Sequence, residues 1–143
     1  MATVLVDTGV WYAVFDPRDR PNDREAVSTL AEQIQSMTAV IPWPITYETV
    51  CSRFAKNRLA LEGFERLLKS SRVSFLDDAP YRKAALDHSF DSSLRSNRPL
   101  SLTDCLLRVV LDSPDTYIHY LATYNVRDFH DVCLRRRVGI LPQ

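Results

Sequence analysis

The chain has 143 residues, which is the size of one ordinary domain and too short for two, so we expect a single domain over residues 1–143. Hydrophobic residues make up 45% and charged residues 25% of the chain, a balance that excludes a disordered segment. Its 18 basic and 18 acidic residues cancel, which excludes binding to nucleic acid through bulk positive charge but not through a local basic patch.

The cysteines and the apolar runs indicate the compartment. Cys51, Cys105 and Cys133 are odd in number and no two have a CxxC spacing, which favours a reduced protein with buried thiols over a zinc site or a disulfide framework. No apolar run approaches the roughly 20 residues of a membrane span, and no basic stretch precedes the first apolar run. We therefore expect a cytoplasmic protein without membrane contact.

The first half of the chain alternates between strand and helix patterns. In order, these patterns predict a strand at Val4–Val6, helices over residues 9–15 and 22–36, a strand at Thr38–Ile41, and helices over residues 45–56 and about 60–70. The apolar positions that define helix 22–36 are Ala26, Leu30 and Ile34. Those that define helix 45–56 are Tyr47, Val50, Cys51, Phe54 and Ala55.

The second half of the chain continues the alternation. The patterns predict a strand at Val73–Leu76, a helix over 79–91, a loop over 92–99, a helix over 102–111, a strand at Tyr117–Thr123, a helix at Phe129–Arg137 and a strand at Val138–Leu141. Strands that alternate with helices favour a parallel sheet that is covered on both faces. The expected fold class is therefore α/β.

Four acidic residues lie near junctions between a predicted strand and a helix: Asp7, Glu48, Asp104 and Asp128. Each one alone is explained by helix capping or by the helix dipole. Together they are expected at one edge, because the carboxyl ends of parallel strands point the same way. A cluster of carboxylates needs protons or cations to offset its repulsion, and an all-oxygen cluster selects magnesium or manganese.

Four segments around these acids resemble the PIN-domain ribonucleases. They are Val-Leu-Val-Asp-Thr at 4–8, Ile-Thr-Tyr-Glu-Thr-Val at 45–50, Ser-Leu-Thr-Asp at 101–104, and Leu-Ala-Thr-Tyr-Asn-Val-Arg-Asp-Phe at 121–129. A Val-Gly-Ile-Leu-Pro segment follows at 138–142. Each motif alone is common, but all of them in this order cover essentially the whole chain. The small stand-alone members typified by the VapC toxins of type II toxin–antitoxin systems are the most similar.

This resemblance implies a three-layer α/β/α sandwich with an acidic pocket at the carboxyl edge of the sheet. It implies an endoribonuclease that depends on Mg2+ or Mn2+, forms a homodimer, and is blocked by a cognate antitoxin protein. Asp7, Glu48 and Asp104 match the three firm acids of the family. The fourth acid of many members stands where this chain has Asn125, whereas in others the acid before the phenylalanine takes that role, which points to Asp128.

The residue types fit metal-assisted hydrolysis of a phosphodiester bond, which needs no side-chain nucleophile. Our hypothesis is that Asp7 and Asp104 hold the principal ion directly. Glu48 would hold it through water or orient the attacking water, and Asp128 would help a second ion. The basic candidates for the RNA backbone are Arg53, Lys56, Arg58, Arg95, Arg98, Arg135, Arg136 and Arg137, with Arg95 and Arg98 the best placed.

Two alternatives stay open at this point. The first is a PIN-like module that binds RNA or protein with weak or no catalysis. It is favoured by Gly9, which replaces a second hydroxyl residue that often follows the first acid in the family, and by the uncertain fourth acid. The second is a DNA-directed nuclease of the same fold, because the metal chemistry does not distinguish the two sugars.

Overall fold

The computed structural model describes residues 1–143, apart from the side chain of Arg53. The strands are β1 (Thr3–Val6), β2 (Thr38–Pro42), β3 (Val73–Leu76), β4 (Tyr120–Ala122) and β5 (Gly139–Leu141). The α-helices are α1 (Thr8–Phe15), α2 (Arg24–Gln35), α3 (Trp43–Val50), α4 (Arg58–Leu68), α5 (Arg82–Leu94), α6 (Leu102–Asp112) and α7 (His130–Arg136).

One all-parallel sheet in the order β3-β2-β1-β4-β5 forms the centre of the molecule. Right-handed crossovers place the helices between β1 and β3 on one face and the later helices on the other. The contacts agree, because α1 touches α2, α3 and α4, whereas α6 touches α5 and α7. The predicted α/β class is therefore confirmed, with helices layered on both faces of a parallel sheet.

The core lies on both faces of β1, which is the central strand. Val4, Leu5 and Val6 are completely buried, as expected for a strand between two helical layers. On one face, Trp11 of α1 is also buried and its ring lies 6.0 Å from that of Phe64 on α4. This packing fixes the start of α1 relative to the sheet, and with it Asp7, which lies between β1 and α1.

The predicted helix over 45–56 is wrong in its length and in its buried face. Helix α3 ends at Val50, and a separate 3-10 turn over Arg53–Lys56 begins where the Ser52 hydroxyl accepts a hydrogen bond from the Phe54 amide. The core-facing residues of α3 are Ile45, Thr46 and Thr49. Tyr47, Val50 and Cys51 are exposed instead. Because α3 ends before Phe54, the spacing that links these positions to Phe54 in the sequence does not define a single helix face.

Smaller differences concern single residues and element ends. On α2, Leu30 and Ile34 are buried as predicted, whereas Ala26 is exposed and Val27 is buried in its place. Helix α5 continues to Leu94, so the predicted loop over 92–99 starts only at Arg95, and β4 is shorter than predicted.

The cysteines and the membrane expectation can be compared with the structure directly. Cys105 and Cys133 are buried free thiols as predicted, whereas the prediction that Cys51 is buried is wrong, because α3 ends before it and leaves it exposed. Among the described residues, no helix combines the length and the apolar character that crossing a membrane requires.

Candidate functional site

The four acids are predicted at the topological switch point of the sheet, where the order in which strands are added reverses. From β1 the chain proceeds outward to β2 and β3, and then returns to add β4 and β5 on the other side of β1. In open α/β sheets, such a switch point opens a crevice beyond the carboxyl ends of the two adjacent strands. Asp7 follows β1 and Thr123 follows β4, and the Asp7 amide donates to the Ala122 carbonyl at 2.9 Å.

Asp7 is held by hydrogen bonds to both of its carboxylate oxygens. The Thr8 amide donates to Oδ1 at 2.8 Å, which makes Asp7 the N-cap of α1, and the Thr123 hydroxyl donates to Oδ2 at 2.9 Å. Burial raises the pKa of Asp7, the bonds from Thr123 and Thr8 oppose that rise, and the charge of Asp128 adds to it. Asp7 therefore caps α1 and also places its carboxylate at the candidate site.

Glu48 is linked to the first acid through Thr8. The Thr8 hydroxyl donates to Glu48 Oε1 at 2.9 Å, and the Tyr12 hydroxyl donates to the Glu48 carbonyl at 3.2 Å. Glu48 lies on the second turn of α3, where its partly buried side chain faces α1. Two hydroxyl residues of α1 thus orient the part of α3 that carries the acid.

Asp104 carries the largest electrostatic perturbation among these acids. It lies in the first turn of α6, whose N-cap is Ser101, and its amide donates to the Ser101 hydroxyl at 3.1 Å. Burial raises the pKa of Asp104 to about 6, and the negative charges of Asp7, Asp128 and Glu48 contribute to the rise. All four predicted acids are therefore close enough to interact at one edge of the sheet.

Asp128 ends a 3-10 turn over Val126–Asp128 and is not the N-cap of the last helix. The N-cap of α7 is Phe129, and the Asp128 carboxylate instead accepts a hydrogen bond from the Asn125 side chain at 2.5 Å. The guanidinium of Arg98 lies 3.6 Å from Asp128 Oδ1. The two positions left open for the fourth acid thus lie side by side, and Asp128 is the one that supplies a negative charge.

The carboxylates do not form a ready coordination shell. Among the residues whose side chains the structure describes, no three His, Cys, Asp or Glu side chains stand in a geometry that could hold a metal ion. The acids nevertheless act on one another electrostatically, as the raised pKa of Asp104 shows. The site is therefore a group of interacting acids at the edge of the sheet, with the guanidinium of Arg98 as a positive charge beside Asp128.

Of the predicted basic residues, Arg98 reaches the acids, whereas Arg58, Arg95, Arg135 and Arg136 pair with carboxylates elsewhere. Arg98 contacts Asp128 and also donates to the Arg127 carbonyl. Arg135 and Arg136 each pair with Asp112 at 3.0 Å, on the α6–α7 side of the molecule. Arg95 pairs with Asp91 and Arg58 with Glu62, each one helical turn away along its own helix. The prediction for Arg53 concerns a side chain outside the described part of the structure.

Thr123 is a residue of the candidate site that local sequence patterns did not single out. Its hydroxyl holds Asp7 although the two residues are 116 positions apart. Thr123 is found only once the sheet is known. Val6 pairs with Ala122, so the residues that follow them, Asp7 and Thr123, lie opposite each other.

At Gly9, a Cβ would meet nothing within 4 Å, so the missing hydroxyl residue of the motif leaves open space.

No family model matches the chain, and no curated protein aligns with it as a relative.

Proposed function

We propose that the protein is a metal-dependent endoribonuclease that hydrolyses RNA phosphodiester bonds with Asp7, Glu48, Asp104 and Asp128. The observation that carries this proposal is the convergence of the acids at the switch point. Thr123 holds Asp7 there, Thr8 bonds to both Asp7 and Glu48, and the charges of Asp7, Asp128 and Glu48 add to the rise in the pKa of Asp104 that burial causes. Four acids at a topological switch point exceed what helix capping requires, and a divalent cation among them would offset their repulsion.

The donor set fits magnesium or manganese. The four side chains offer only carboxylate oxygens, which hard divalent cations prefer over softer metals. Asp7 and Asp104 would hold the principal ion, Glu48 would hold it through water or orient the attacking water, and Asp128 would support a second ion. Such an ion polarises a phosphoryl oxygen and lowers the pKa of a bound water, which is the chemistry that phosphodiester hydrolysis needs.

The protein's own residues supply orientation and phosphate binding. Thr8 and Thr123 fix the side chains of Glu48 and Asp7, so two of the carboxylates are held before substrate arrives. Arg98 offers a guanidinium beside the acids, and a guanidinium matches the geometry of a phosphate group. In-line attack of water on the phosphorus would leave 5′-phosphate and 3′-hydroxyl ends.

The resemblance to PIN-domain toxins supports a more specific role. In that role the chain is the toxin of a toxin–antitoxin pair in the cytoplasm. It acts as a homodimer, and a cognate antitoxin protein covers the acidic edge until it is removed. This part of the proposal rests on the four motifs and their order, and the cleavage chemistry does not depend on it.

A catalytically weak PIN-like module that binds RNA or protein is the second candidate function. It is favoured by Gly9, which lacks a hydroxyl, and by the absence of a ready metal geometry among the described side chains. The two candidates differ in one observable: a binding module retains its RNA or protein partner unchanged in the presence of Mg2+ or Mn2+.

The test is a cleavage assay on a panel of tRNA, rRNA, single-stranded RNA and single-stranded DNA, with Mg2+, Mn2+ or EDTA. Asp7→Asn is the informative variant, because asparagine also caps a helix and the fold is kept. The matched control is Asp87→Asn on α5, since Asp87 is exposed and its ion pair at 3.2 Å is with Lys83 of the same helix.

We expect the wild type and Asp87→Asn to cut RNA with either metal and not in EDTA. Asp7→Asn should lose at least about 100-fold in rate, which corresponds to about 2.7 kcal/mol of transition-state stabilisation. Cleavage that survives in EDTA or in Asp7→Asn would contradict the proposal. Intact RNA under all conditions, without metal binding, would favour the binding module, and cleavage of DNA alone would favour the DNA-directed alternative.

A further inference from the structure

Among the described side chains, Arg98 is the only cation that pairs with one of the four candidate acids. It lies in the segment between α5 and α6, and its Nη2 atom is 3.6 Å from Asp128 Oδ1. The other oxygen of that carboxylate, Oδ2, accepts a hydrogen bond from the Asn125 side chain at 2.5 Å. Both oxygens of Asp128 are therefore engaged, and a cation that binds this carboxylate meets a guanidinium already there.

The contacts of the Arg98 guanidinium are incomplete. Its Nη2 atom also donates to the Arg127 carbonyl, whereas Nε is buried and has no hydrogen-bond partner in the described part of the structure. A buried donor without a partner costs free energy, so this position does not satisfy the side chain fully. The side chain is 37% exposed and its segment has no regular secondary structure, so it can leave Asp128 without disturbing the core.

Asp128 is connected to the rest of the site through its charge. That charge adds to the rise in the pKa of both Asp7 and Asp104 that burial causes. A guanidinium within 4 Å of Asp128 opposes the binding of a second cation at the same carboxylate, because like charges repel. Arg98 and a divalent cation are therefore alternative partners of one acid.

We propose that Arg98 is an internal counter-ion that competes with the divalent cation for Asp128 and, once displaced, binds a phosphate of the RNA. The inference rests on the proposed function and adds the regulation of that site: metal and RNA bind cooperatively through one side chain. A guanidinium pairs with carboxylates and phosphates in the same forked geometry, so the displaced side chain has a second suitable partner. Because coupling between two ligands is reciprocal, bound RNA also strengthens the binding of the metal.

The first measurement is the affinity for Mn2+, by electron paramagnetic resonance. Arg98→Ala should bind Mn2+ roughly three- to tenfold more tightly than the wild type, because the competing charge is gone. Arg98→Lys keeps the charge, so its affinity should lie between those two. The matched control is Arg95→Ala, which removes the same charge from the same segment at a residue that pairs with Asp91, and it should bind Mn2+ like the wild type. If Arg98 only positioned Asp128, its loss would weaken Mn2+ binding instead.

The second measurement is the salt dependence of RNA binding, in a Glu48→Gln background. This background keeps Asp7 and Asp104 and should slow cleavage, since Glu48 is assigned to the attacking water. A labelled single-stranded oligoribonucleotide is titrated in Mn2+ and in EDTA, and its polarisation is followed. One phosphate contact contributes about 0.7 to the slope of log affinity against log salt for a single strand. We expect Arg98→Ala to lower the slope by that amount in Mn2+ and to leave it unchanged in EDTA, where Asp128 holds the guanidinium.

Two results would overturn the inference alone: Mn2+ affinity that is unchanged or weaker in Arg98→Ala, and a slope that falls equally in Mn2+ and in EDTA. Circular dichroism in EDTA verifies that each variant is folded, and Arg98→Gln, which is closer in size, replaces an alanine variant that is not. No Mn2+ binding by the wild type would overturn the inference together with the proposed metal site. Tighter Mn2+ binding by Arg98→Ala, with RNA left intact by the wild type, would support the counter-ion and contradict the proposed catalysis, so the two failures are distinguishable.

Discussion

At the scale of single residues, the charge on Asp104 is the costly feature of the site. Burial and the charges of Asp7, Asp128 and Glu48 raise its pKa to about 6 in the folded protein, against about 3.9 in an unfolded chain. The folded state therefore binds the Asp104 proton more tightly than the unfolded state does. In cation-free buffer, the contribution of Asp104 to the free energy of unfolding therefore falls as the pH rises from about 4 to about 6.

Asp104→Asn should remove this cost. At pH 7 in EDTA we expect the variant to be more stable than the wild type by about 1–2 kcal/mol, after allowance for solvent screening. The difference should shrink towards pH 4 and disappear below about pH 3, where Asp104 is protonated in both states of the wild type. Urea unfolding at several pH values measures it, and a variant that is less stable than the wild type at pH 7 would contradict the account.

Gly9 allows the missing hydroxyl to be tested directly. It lies within α1 with a negative φ, and a Cβ there meets nothing within 4 Å, so Gly9→Ala should raise the free energy of unfolding by roughly 0.5–1 kcal/mol. Gly9→Ser should also fold, and we expect it to cut RNA faster than Gly9→Ala because only serine restores the hydroxyl. Equal rates in the two variants would show that the hydroxyl has no role here.

The acids could be predicted from the sequence, and their partners could not. Asp7 and Asp104 follow apolar runs or begin helices, which is a local pattern. The bond from Thr123 to Asp7 depends on which strand lies beside β1, and the ion pair of Arg98 with Asp128 depends on how the segment before α6 meets the turn after β4. Such relations between distant elements leave no periodic signal in the chain.

At the scale of elements, one arginine joins three helices on the second face of the sheet. Arg108 of α6 forms a two-bond ion pair with Asp131 of α7 at 2.7 and 2.8 Å and donates to His88 of α5 at 3.1 Å. It also donates to the carbonyl of Asp128 at 2.7 Å, which fixes the backbone at the site. The bond from Arg108 holds the pKa of the Asp131 carboxyl well below its usual range.

Because the pKa of Asp131 is lower in the folded state, the pair stabilises the fold above about pH 4, and this contribution is lost as the pH falls further. Asp131→Asn should cost about 1 kcal/mol at pH 7, since half of the Asp131 side chain is exposed and screened. The difference from wild type should shrink below about pH 4. Asp87→Asn, at an exposed pair, should change the free energy of unfolding by less than about 0.5 kcal/mol. A cost for Asp131→Asn that does not change with pH would argue against the ion pair.

Element boundaries show where local patterns stop being informative. The strand Val73–Leu76 agrees with the prediction to the residue, because β-branched and apolar residues are bounded by polar turns. Helix α3 was predicted too long because the apolar stripe continues through Cys51 into Phe54. The Ser52 hydroxyl ends that continuity by capping the next turn, and periodicity does not register a cap within an apolar run.

At the scale of the whole molecule, the order of the strands creates the crevice. The alternation of strands and helices predicts a parallel sheet, but it does not say on which side of β1 the fourth strand lies. The order β3-β2-β1-β4-β5 places the switch point between β1 and β4, so Asp7 and Thr123 meet there. Asp104 and Asp128 join them because α6 leads into β4 and the 3-10 turn leaves it.

If Asp7 and Asp104 hold the principal ion, the protein binds Mn2+ through them, and electron paramagnetic resonance measures that binding most directly. We expect saturable binding to the wild type and to Asp87→Asn. Binding should be weakened at least about tenfold, or about 1.4 kcal/mol, in both Asp7→Asn and Asp104→Asn. Equal binding by all four proteins, or no binding by the wild type, would contradict the account, because the acids would then serve the fold and not a metal.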